Sequence, residues 1–202
     1  MKKLTLAAGL LFSLGGISSA FGAADGTITF NGRVVDQTCT VTNGGNSGNF
    51  DVKLPAVNKT QLAADGAVAG ATRFDIELKG CKQATAAGTN SVRAYFLPNS
   101  QYVDATTHNL KNIAQTTAGV AKAENVQIQL THADTHQVIA VGENVDVQEN
   151  APYNSWFAFE NDAAAAGTAK AKLTYHAQYV AVGAAAEPGL VQSKVEYNII
   201  YK

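Results

Sequence analysis

The sequence predicts an all-β domain made of two packed sheets, and three observations carry the prediction. Apolar and polar residues alternate with a period of two in about nine short stretches, the pattern of strands with one buried face. No stretch of twelve or more residues keeps a helical period. Runs such as "TNGGNSGN", "KQATAAGTN", "ENDAAAAGTA" and "AVGAAAEPG" separate the alternating stretches, and their alanines are too few and too interrupted by Gly to hold a helix alone. Many short strands joined by turn-rich loops read as a β-sandwich. The 202 residues suit one domain, and no internal repeat or linker divides them.

The first element is an export signal. Lys2 and Lys3 precede an apolar stretch from Leu4 to Ile17, which is too short and too Gly-rich to span a membrane. Small residues follow and place the cut between Ala20 and Ala24, so residues 1–22 are read as the signal. A retained anchor is the alternative, and no second apolar stretch supports it. Loss of the two lysines leaves 13 basic against 16 acidic residues. That balance does not suit nucleic acid or an anionic membrane, which call for clustered Lys and Arg.

The strand candidates follow in order. "TITFNGRV" places Ile28, Phe30, Gly32 and Val34 on one side, and "VVDQTCTV" shifts the parity to Val35, Cys39 and Val41. "RFDIELKGC" alternates Phe74, Ile76 and Leu78, and "VRAYFL" alternates Val92, Ala94 and Phe96. "VQIQL" and "VIAV" flank "THADTHQ" as a hairpin. "WFAFE" reads as one strand, and "KLTYHAQYV" alternates Leu173, Tyr175, Ala177 and Tyr179. The last stretch, "GLVQSKVEYNIIYK", alternates from Gly189 to Tyr201 and so runs almost to the end of the chain, where termini usually fray unless tied down.

Two cysteines, Cys39 and Cys81, lie 42 positions apart. In an exported chain an even count reads as a disulfide, and closing such a loop restricts the unfolded chain by roughly 4 kcal/mol in the chain-entropy account. Free or metal-binding thiols are the alternative, but one pair at this distance has no metal-site spacing.

Catalytic signals are weak. The four histidines are His108, His132, His136 and His176. His132 and His136 in "HADTH" have the spacing that would place both on one helix face for zinc, but they sit between strands with no third ligand, and a solvated hairpin tip is expected. His176 falls on the polar parity of its strand and is expected to be exposed. No Ser has a nucleophile-elbow context, and the Gly-containing stretches lack a phosphate-loop pattern. No enzyme, cofactor or metal site is expected.

Taken together, the export signal, the alternating "GTITFNGRVVDQTC", the cysteine that closes "FDIELKGC", the tyrosine-rich "YHAQYV" and the Gly-led terminal strand resemble a chaperone–usher pilin of the type 1 fimbrial major-subunit family. The terminal pattern is the most specific part. Gly189 is fourteenth from the end and Tyr201 is penultimate, as in that family. Ser193 departs from it, standing where an apolar residue is typical, and the leader before "GTITF" is short.

The resemblance implies an immunoglobulin-like β-sandwich that lacks its last strand and is completed by donor-strand exchange. Residues 23–35 would be an N-terminal donor segment and residues 36–202 the pilin domain. Ile28, Phe30, Gly32 and Val34 would form the donor face. Gly189, Val191, Val195, Tyr197, Ile199 and Tyr201 would form the edge of the accepting groove. The implied partners are a periplasmic pilus chaperone, an outer-membrane usher, and identical or related pilin subunits joined head to tail in an adhesive surface fimbria, by strand addition without ring closure. Burying three apolar donor side chains would contribute roughly 5–9 kcal/mol. The alternative for "TITFNGRV" is an ordinary first strand packed on its own sandwich. For the whole chain the alternatives are a minor or tip-associated adaptor or adhesin subunit, and a self-contained secreted β-sandwich binding module. An adhesin would need a lectin domain for which this chain has no room. The receptor of such a fimbria is not legible in the sequence.

Overall fold

The computed structural model describes residue 29 and residues 39–43, 48–82, 91–144 and 156–202. The chain divides into two units, residues 1–34 and 35–202. Apart from residue 29, the first unit lies outside the described residues, and so do the expected export signal and Ile28, Phe30, Gly32 and Val34.

The second unit is, in its described residues, almost entirely strands and loops, with a 3-10 turn, Lys59–Leu62, in which the Thr60 N–H, one of the orphan donors of the first turn, bonds the Asn58 side chain. Its strands are β1 (Thr40–Val41), β2 (Val68–Lys82), β3 (Ser91–Phe96), β4 (Leu110–Lys111), β5 (Val126–His132), β6 (Phe157–Ala158), β7 (Glu160–Asn161), β8 (Thr168–Ala181) and β9 (Tyr197–Tyr201). The larger sheet has the order β1-β2-β8-β5-β4, with β7 also paired to β8, and the smaller has the order β6-β3-β9. Every ladder is antiparallel.

Alternation explains the core. Ile76 and Leu78 of β2, Val92, Ala94 and Phe96 of β3, Leu130 of β5, and Leu173, Tyr175 and Ala177 of β8 point inward and are buried. Tyr175 is the centre of this core. Phe74, Phe96, Phe157 and His132 pack around its ring, and its hydroxyl accepts the Ala94 N–H at 3.1 Å. The outer face of the large sheet is polar. There Lys172 and Arg73 both meet Asp75, at 2.9 and 3.2 Å. Burial is the largest influence on the Asp75 carboxyl and pushes it up, but hydrogen bonds from Lys172, Thr174 and Arg73 together leave it below the usual carboxylate range.

The structure departs from the expected elements in four places. β2 begins at Val68 rather than near Arg73, and the added length carries a bulge at Gly70, which has φ +70°. "WFAFE" is not one strand. β6 pairs with β3 in the small sheet and β7 with β8 in the large one, so the chain changes sheets at Phe159. The terminal ladder starts only at Tyr197, because β3 ends at Phe96, opposite it. The histidines differ too. His132 is buried against Tyr175 rather than solvated, and His176 is half-buried with its ring stacked on exposed His136 at 5.4 Å. Among the described residues no group of three or more His, Cys, Asp or Glu converges as a metal site.

Candidate strand-accepting groove

The disulfide between Cys39 and Cys81 joins the start of β1 to β2. β1 has two ladder residues, paired as Thr40↔Lys79 and Val41↔Leu78. Beyond it the Asn43 side chain takes over from the backbone, donating to Asp75 O and accepting the Glu77 N–H. The first strand is therefore held by a covalent tie at one end and an amide at the other.

Residues 48–57 follow outside any strand. Phe50, Val52, Leu54 and Val57 are half-buried, and the residues between them are exposed. Phe50 and Leu54 pack on the main core, with the Phe50 and Phe74 rings 6.3 Å apart. Val57 packs on a second, smaller cluster of Leu62, Ala123, Val126, Ala181 and Ala186. Residues 50–57 form no backbone hydrogen bond to another described residue. The sequence reading missed this stretch, although the alternation of Phe50, Val52 and Leu54 marks it.

The terminal stretch lies beside it. From Val191 to Ile199 every odd residue is half-buried, and Lys194, Glu196 and Asn198 between them are exposed. Val195, Tyr197, Ile199 and Tyr201 pack on the main core, and Val191 packs on the same small cluster as Val57. Not one of these inward residues is fully buried. One hydroxyl crosses to that stretch and a second to the start of β1. The Tyr197 O–H donates to Gly48 O at 2.8 Å, and the Cys39 backbone bonds the Tyr201 hydroxyl. Burial pushes both phenols up, and for Tyr201 the Cys39 bond works against it.

The backbone follows the same parity. Ser91 and Lys202 exchange both N–H···O bonds, and Leu97 N–H donates to Glu196 O. Hydrogen-bonded pairs alternate in an antiparallel ladder, so the even residues of β9 face β3. The odd residues turn their N–H and C=O to the opposite edge, where they have no backbone partner among the described residues. Ser193 adds a polar point on the inward side, with its Oγ buried and unpartnered. Gly189 is exposed rather than inward, and it crosses the 121–123 backbone so closely that an added Cβ would overlap Ala121, Lys122 and Ala123.

The structure thus holds two half-buried apolar lips, residues 48–57 and 191–201, on one core. Each has backbone groups unpaired among the described residues. Comparison with known proteins identifies the family of this sandwich. The model of the type-1 fimbrial protein A family matches residues 54–202, and the chain belongs to that family. It is 42% identical to the "F17 fimbrial protein" of Escherichia coli over the full length of both chains. It is 44% identical to the "Major fimbrial subunit SMF-1" of Stenotrophomonas maltophilia, covering 90% of this chain and 95% of that one. Among solved structures, a subunit from a chaperone–usher pilus that bears on rod uncoiling matches 90% of this chain and 98% of its own, with TM-score 0.55 and 21% identity. The P pilus rod subunit PapA matches 81% and 99%, with TM-score 0.54 and 19% identity. At those identities the two structures establish the shared immunoglobulin-like fold. The chain is a structural subunit of cell-surface fimbriae, to which such subunits are exported.

Proposed function

We propose that this subunit polymerises by accepting the N-terminal segment of another copy between residues 48–57 and 191–201. The observation that carries the reading is the double parity of the terminal stretch. The residues that send apolar side chains inward are the same ones whose backbone groups face the open edge. A strand laid there would gain a ladder and cover the half-buried side chains in one step. Left bare, such an edge is an aggregation hazard, which is the physical reason for a periplasmic chaperone to occupy it before an outer-membrane usher hands the subunit on. Residues 23–35 are the donor segment in this reading, with Ile28, Phe30, Gly32 and Val34 facing inward, and the division of the chain at residues 34 and 35 supports a separable segment. Relatives named as major fimbrial subunits favour the repeated shaft subunit over a tip adaptor.

Gly32 is the sharpest probe. In a closely packed groove a side chain at this position obstructs seating and leaves Ile28 and Phe30 intact. Gly32→Leu is expected to shorten or abolish fibres while the melting temperature of the unassembled subunit stays unchanged. Normal fibres from a destabilised monomer would show that "TITFNGRV" is an ordinary strand of its own sandwich.

A further inference from the structure

β3 backs the terminal stretch only from Glu196 to Lys202. Val191 and Ser193 nevertheless keep the inward parity beyond the end of β3. A strand segment with no neighbour on its back would peel away, and the accepting edge would be roughly halved.

The Asn112 side chain supplies that backing. Its Nδ2 donates to Leu190 O and to Ala123 O, both at 2.9 Å. Its Oδ1 accepts the N–H groups of Gln192 and Ala114, both at 3.1 Å. A primary amide has two N–H donors and two oxygen lone pairs, so all of its capacity is used, and every partner is backbone. The surrounding bonds continue the same seam: Ile113 N–H to Gln192 O, Leu190 N–H to Ala121 O, and Ala123 N–H to Leu190 O. Gly189 permits the approach, since any side chain there would strike the 121–123 backbone. All of these bonds fall on the even residues, the side away from the open edge.

We propose that Asn112 is the positioning residue that splints the Gly189–Val195 half of the accepting strand, where β3 does not reach, so that the open edge runs unbroken to Val191. This rests on the strand-accepting reading above. Aspartate cannot replace it, because a carboxylate has no donor and would set an oxygen against the Leu190 and Ala123 carbonyls.

The test is amide hydrogen exchange, read by mass spectrometry on full-chain subunits before and after fibre assembly, for the wild type, Asn112→Ala and Gly189→Ala. Wild-type subunits should gain protection on assembly along the whole of 191–201. Asn112→Ala should lose that gain over residues 189–195, with exchange there faster by about tenfold or more, and keep it over Tyr197–Tyr201. Gly189→Ala should give the same regional loss without touching the amide, and it decides the question if Asn112→Ala does not fold. A uniform loss over 189–201, or full protection in both variants, would overturn the splint. A wild-type chain that gains no protection on assembly would overturn the strand-accepting reading itself, whatever the variants do.

Discussion

Tyr175 and His132 show how a polar group is made tolerable in this core. The Tyr175 ring is 1% exposed, and its hydroxyl finds the Ala94 N–H. His132 packs against the same ring. Burial is the main cause holding its imidazole below the ordinary histidine value. Arg93 acts in the same direction and Asp134 against it. In the unfolded chain His132 takes a proton near pH 6.5, while in the folded chain it resists until lower pH. Between those two points the unfolded state binds more protons, so stability is full above about pH 6.5 and falls as the pH drops below it. The denaturation midpoint of the unassembled subunit should therefore decrease from pH 7.5 to pH 5, and His132→Gln should flatten that dependence. A variant that keeps the wild-type slope would place the pH sensitivity elsewhere.

β1 and β9 are short, and each depends on something beyond its ladder. β1 has two paired residues, a disulfide and the Asn43 amide. Replacing both cysteines by alanine should cost roughly 4 kcal/mol in the chain-entropy account. The damage should appear first as rapid amide exchange at Thr40–Thr42, with β5 and β8 still protected. Equal loss across all strands would mean that the bond stabilises the sandwich as a whole. β9 depends on its tyrosines, whose hydroxyls reach the N-terminal stretch at Gly48 and Cys39. Tyr201→Ala removes a half-buried ring, its contact with Phe159 and the Cys39 bond together. The expected outcome is poor capture by the chaperone and degradation of the subunit before assembly. Normal accumulation and normal polymerisation would remove Tyr201 from the groove.

The sandwich was legible in the chain because inward and outward residues alternate wherever a ladder forms, as in Phe74–Ile76–Leu78 and Leu173–Tyr175–Ala177. The disulfide was legible from two cysteines in an exported sequence. Residues 48–57 are harder to read because they pair with no described strand, and because "NFDVKLPAV" follows a Gly- and Asn-rich run and itself contains Pro55. The change of sheets within "WFAFE" has no local signal, since it depends on which strand each half meets. His132 was misplaced because a hairpin tip and a strand end look alike in "THADTHQ", and only the packing of Tyr175 separates them. Asn112 could not be found by pattern at all. Its role depends on three chain segments that meet only in the fold.

On the strand-accepting reading, the open edge of residues 191–201 is filled by another copy of the chain. Fibres assembled from an equal mixture of isotopically heavy and light subunits, with a photo-crosslinking phenylalanine in place of Phe30, test it most directly. After irradiation and digestion, crosslinked peptides should join residue 30 to residues within 48–57 or 191–201, with heavy–light pairs among them. Crosslinks confined to heavy–heavy and light–light pairs would show that each segment fills its own groove, and would contradict polymerisation by strand exchange.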